Sequence, residues 1–86
     1  MTPAEVRTAL LRGLGEVAPE VDLSTLRSDV SIRDQIDLDS FDFLTFVTGL
    51  HTRLGVDVPE RDYSNLNTLD SAIAYLVHRL ASASKP

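Results

Sequence analysis

Asp37-Leu38-Asp39-Ser40-Phe41-Asp42-Phe43 is the junction on which the reading of this chain turns. Downstream of it, apolar residues fall into a helical pattern. At ~100° per residue, Phe43, Val47, Leu50 and Leu54 form one row flanked by Phe46, while Thr45, Thr48, Thr52 and Arg53 lie away from it. The row predicts a helix over 40–54 with one face in the core. Asp39 or Ser40 is placed to cap it, Asp42 sits in its first turn, where the amide dipoles favour negative charge, and Gly55 ends it.

Upstream, from Pro19 to Asp39, small apolar anchors (Val21, Leu23, Leu26, Val30, Ile32, Ile36, Leu38) alternate with Ser, Thr and Asp without a sustained period. This predicts a long ordered loop, a length that points to function more than to mere connection. Before the loop, Thr2-Pro3-Ala4-Glu5 supplies a capping hydroxyl, a proline at the first helical position and a carboxylate three residues past the cap. Val6, Leu10, Leu14 and Val17 then give a helix over 3–17 that Ala18-Pro19 stops. After Gly55, Val58-Pro59-Glu60 opens a short helix over about 60–65, and Asn67 or Thr68 caps a last helix over about 68–81 carrying Leu69, Ala72, Ile73, Leu76 and Leu80. Residues 82–86 are expected to fray. The expected architecture is all-α, one domain over 1–86, with three main helices, one short third helix and a long first loop. That loop frees the first two main helices from tight up-down alternation.

Composition narrows the functions open to such a bundle. A chain of 86 residues buries only about 60–65% of its unfolded surface, so a deep substrate cleft is not expected. Apolar residues at 43% and charged residues at 24% fit a soluble globular chain. The net charge of −5 repels nucleic acid and anionic lipid and attracts basic protein surfaces. With no cysteine, any thiol chemistry must come from a group attached to the chain. No apolar stretch approaches the ~20 residues of a membrane span and the first residues lack a basic segment followed by an apolar run, so a cytoplasmic monomer is the simplest expectation.

The chemistry-bearing residues gather at the junction. Asp34, Asp37, Asp39 and Asp42 surround Ser40, relieved only by Arg33. A calcium loop starting at Asp37 fails, because Phe41 and Asp42 occupy the next ligand and glycine positions and Thr48 stands where the closing glutamate belongs. A hydrolase built from Ser40 with His51 or His78 fails too, since no strand-turn-helix elbow exists to present the serine; both histidines are expected on the surface. Phe41 falls on the polar side of its helix, either folded back over the long loop or left exposed.

These residues resemble the acyl carrier family. Asp39-Ser40-Phe41 stands where that family has Asp-Ser-Leu, Leu54-Gly55-Val56-Asp57-Val58-Pro59 is similar to its run ending in proline, and Thr68-Leu69-Asp70-Ser71-Ala72-Ile73-Ala74-Tyr75-Leu76 looks like its last helix. The likeness runs from Thr2 to Leu80. It implies a four-helix bundle of acyl-carrier type that is not itself an enzyme, with a covalent 4'-phosphopantetheine arm, taken from CoA, on Ser40 beside Asp39. It also implies a phosphopantetheinyl transferase as one partner, acyl-transferring or acyl-modifying enzymes as others, and Asp37, Phe41, Asp42, Leu44 and Thr48 as the surface they meet. The expected role is a stand-alone carrier of acyl thioesters in a specialised fatty-acid or polyketide-type pathway; an aminoacyl or peptidyl carrier, or an unmodified helical interaction module, are the alternatives. Two departures stand out. Asp37-Leu38 replaces the Gly-Ala or Gly-Gly common there, which asks Asp37 to take the left-handed backbone that aspartate tolerates. Beyond Asp42 the second main helix has no acid, which points to a specialised partner set.

Overall fold

The computed structural model describes residues 2–83. Helix α1 spans Pro3–Val17. Its first turn is closed reciprocally: the Glu5 amide donates to Thr2 Oγ1 at 3.2 Å and the Thr2 amide donates to Glu5 Oε1 at 2.9 Å. Val6, Leu10 and Leu14 are buried along its inner face, and the helix ends as the Ala18 amide donates to the Leu14 carbonyl.

The segment expected to be a loop without regular structure contains two short elements, a 3-10 turn at Leu23–Thr25 and the one-turn helix α2 at Ile32–Gln35. Gln35 explains its order. Its side chain accepts the Arg27 amide at 2.7 Å and donates to the Arg27 and Val30 carbonyls at 2.8 and 3.0 Å, so one amide group satisfies backbone that no helix or sheet would pair. The loop is also stitched to the far end of the chain, with the Ile32 amide donating to the Asn67 carbonyl and the Asp70 amide to that of Ser28. Ile32, Ile36 and Leu38 turn into the core.

Helix α3 spans Ser40–Leu54 and stops at Gly55, whose φ of +68° lies in the left-handed region glycine enters without steric cost. A seven-residue 3-10 segment, Glu60–Leu66, leads to helix α4, Leu69–Ala83. Thr68 is the residue that caps α4, its Oγ1 accepting the Ser71 amide at 3.0 Å while its own amide donates to Ser71 Oγ. α4 therefore takes in positions 82 and 83, which the sequence had assigned to a frayed tail; the remainder of that expected tail, 84–86, lies outside the described residues.

α1 packs against both α3 and α4, and α4 also against the 3-10 segment, which gives an all-α bundle with no strand among the described residues. The row of α3 facing the core is rotated from the expected one. Phe46, Val47 and Leu50 are buried, whereas Phe43 and Leu54 lie only half-buried at its border. The cause is a pairing across helices: the Phe46 ring fills the space over Gly13 of α1, where an added Cβ would meet it at 3.1 Å.

Candidate functional site

Ser40 is the first residue of α3 and is exposed. The cap is Asp39, whose Oδ1 accepts the Asp42 amide at 2.8 Å while its carbonyl accepts the Phe43 amide at 3.0 Å. Ser40 Oγ has no hydrogen-bond partner among the described residues, and the amides of Ser40 and Phe41 have no acceptor. A free hydroxyl thus stands over free amide donors at the positive end of a fifteen-residue helix, a setting that fits a phosphodiester on that oxygen.

The turn into the site is made differently from the expectation. The Leu38 amide donates to the Ile36 carbonyl at 2.9 Å, a three-residue turn centred on Asp37, and no residue other than Gly55 has positive φ among those described. Aspartate is accommodated there because the turn needs no left-handed backbone. Asp37 and Asp39 are exposed and Asp42 is half-buried. None of these three, nor Asp34, makes an ion pair among the described residues, so their charge faces outward together.

On one side of Ser40 a cleft of about 510 Å³ opens between α3 and the 3-10 segment, lined in part by Arg33, Ser40, Phe43, Leu44, Tyr63 and Leu66. Tyr63 stands edge-on to Phe43 with centroids 5.6 Å apart. The Arg33 guanidinium lies over the same Phe43 ring, 5.5 Å from its centroid, and reaches the Leu38 carbonyl at 3.4 Å. Arg33 was legible only as the basic neighbour of the acidic run. Tyr63 and Phe43 gave no signal as site residues, because the 3-10 segment that brings Tyr63 to Ser40 is distant in sequence.

The other side of Ser40 is the outward face of α3. Phe41 is 76% exposed and Leu44 49%, so Phe41 does not fold back over the loop. Thr45, Thr48 and Thr52 continue this face, and each donates its hydroxyl to the carbonyl four residues earlier, at 3.0, 2.9 and 3.3 Å. Beyond Asp42 this face therefore presents the Leu44 side chain and threonine methyl groups and no carboxylate, with the Phe41 ring just before it. His51, at its edge, is exposed with Nδ1 3.2 Å from the Val56 carbonyl, and His78 is exposed on α4. The structure brings neither into contact with Ser40.

An exposed serine with a free hydroxyl at the head of a helix, on so small a bundle, is what a carrier domain requires. The comparisons with known proteins bear on that class directly. A family model described as the phosphopantetheine attachment site matches residues 5–76. The chain is 31% identical to an acyl carrier protein of Kineococcus radiotolerans, over 78% of this chain and 86% of that one. It is 30% identical to one of Acidothermus cellulolyticus over 86% and 92%, and 29% identical to one of Myxococcus xanthus over 78% and 89%. The chain belongs to the acyl carrier protein family. It is accordingly a carrier of acyl intermediates and not a catalyst, and its cofactor is a covalently attached 4'-phosphopantetheine. Among the described residues no helix is long and apolar enough to cross a membrane.

Proposed function

We propose that the arm is attached at Ser40 and that the chain presents its acyl cargo to enzymes of a specialised fatty-acid or polyketide-type pathway in the cytoplasm. The observation that carries the reading is the division of labour at the head of α3: Asp39 does the capping, which leaves the Ser40 hydroxyl exposed and without a partner. In the attachment step Ser40 Oγ attacks the β-phosphorus of CoA, its proton leaves to base, and the phosphoanhydride breaks to release adenosine 3',5'-bisphosphate. The attached group supplies the thiol that the cysteine-free chain lacks, on which acyl groups ride as thioesters.

Asp37, Asp39 and Asp42 form the acidic collar met by the transferase's basic surface, and Phe41, Leu44 and Thr48 the patch met by the acyl-handling enzymes. The carboxylate-free face of α3 supports a dedicated partner set over a housekeeping one. Tethering raises the cargo's effective concentration at each docked enzyme, so the carrier itself needs only to hold and release. The test is intact mass after incubation with CoA, magnesium and a broad-specificity phosphopantetheinyl transferase. One phosphopantetheinyl increment is expected, absent in Ser40→Ala. No increment on the native chain, or an unchanged one on the variant, overturns the assignment.

A further inference from the structure

Arg33 is the one cation among the described residues lining the cleft beside Ser40. Its surroundings are acidic, with Asp34, Asp37, Asp39 and Asp42 close in sequence and Glu60 on the far wall, yet it makes no ion pair among the described residues. Instead it is parked between the two flanks of Ser40. Its Nη2 reaches the carbonyl of Leu38, two residues before the serine, at a long 3.4 Å, and its planar group rests over Phe43, three residues after. That leaves most of the guanidinium's donors without an acceptor, on an exposed side chain resting over an aromatic face. Such a fork matches the two non-bridging oxygens of a phosphodiester.

Resting on the assignment of the arm to Ser40, we propose that Arg33 is a positioning residue that pairs with the phosphodiester there. The pairing turns the root of the arm into the cleft bounded by Phe43, Leu44 and Tyr63, away from the outward face of α3 that carries Phe41. The free amides of Ser40 and Phe41 hold the anion from the helix side and Arg33 from the cleft side. Together they select one direction of departure from an attachment point otherwise open to solvent.

The test compares the full chain before and after loading with 4'-phosphopantetheine by a broad-specificity transferase. In the native sequence the Arg33 Nε–H resonance is expected to shift on loading, and its exchange with water to slow by about two- to fivefold, the factor an exposed ion pair supplies. In loaded Arg33→Gln, cross-relaxation between the arm's geminal methyls and the Tyr63 ring is expected to fall by a similar factor, with part of the loss restored in Arg33→Lys. An Nε–H resonance identical before and after loading overturns the inference without any variant. So does unchanged cross-relaxation in Arg33→Gln, or a Lys variant as impaired as Gln. A native chain that takes up no arm, read by intact mass, removes the Ser40 assignment and this inference with it; a chain that loads but leaves Arg33 unaffected removes only the latter.

Discussion

The Asp39 carboxylate accepts the Asp42 amide at 2.8 Å, while the Ser40 hydroxyl between them in sequence bonds to nothing among the described residues. The two adjacent side chains therefore answer differently to truncation. Ser40→Ala should move the unfolding free energy by no more than about 0.5 kcal/mol, and Asp39→Ala should lower it by about 1 kcal/mol. Urea unfolding followed by circular dichroism measures both; a large loss in Ser40→Ala would mean the serine holds the helix.

Two glycines make a matched pair. A Cβ at Gly13 meets Cδ1 and Cε1 of Phe46 at 3.1 and 3.2 Å, and that ring is 1% exposed in the core, whereas a Cβ at Gly49 meets nothing within 4 Å. Gly49→Ala should therefore stabilise by about 0.5–1 kcal/mol through helix propensity alone. In Gly13→Ala the same gain is set against about 1–3 kcal/mol of overpacking, for a net loss near 1 kcal/mol. Thermal midpoints of opposite sign are the expected result.

The reciprocal cap of α1 makes part of the stability pH-dependent. The Thr2 amide and then its hydroxyl hold the Glu5 carboxyl below the ordinary glutamate value, so its folded pKa lies below its unfolded one. The contribution is present above the unfolded value, about 4.3, and is lost as pH falls through the folded one. Between about pH 5 and pH 3 the urea midpoint of the native chain should drop more than that of Glu5→Gln. Parallel curves would show the cap to be indifferent to the charge.

The collar of acids should act through its field. Asp37→Asn is expected to raise the transferase KM by about two- to fivefold at low ionic strength, with the difference closing as salt screens the pair. The fold should not register the change, because Asp37 is exposed and makes no ion pair among the described residues. A KM difference that persists in high salt would point to a contact other than charge.

How far the chain could be read in advance follows from where the determining contacts lie. The ends of α1 and α4 are decided locally, by Thr2 with Glu5 and by Thr68 with Ser71, and Gly55 marks the end of α3 by its own backbone freedom. The rotation of the α3 core row was not legible, because it depends on Phe46 meeting Gly13 of another helix. The order of the long loop was not legible either: Gln35 ties itself to Arg27 eight residues back, a spacing with no periodic signature. At the site, Ser40, Asp39 and Phe41 were visible because they are consecutive. The cleft wall at Tyr63 was hidden because a 3-10 segment from beyond α3 supplies it.

The threonines of α3 have a kinetic side. With the hydroxyl hydrogens of Thr45, Thr48 and Thr52 already engaged by the helix's own carbonyls, bringing another protein against them strips little from the water and restores little on parting. A contact of that kind carries little desolvation cost from the hydroxyl donors, which favours weak and reversible association. For a molecule whose work consists of visiting one enzyme after another, brief residence is as useful as recognition.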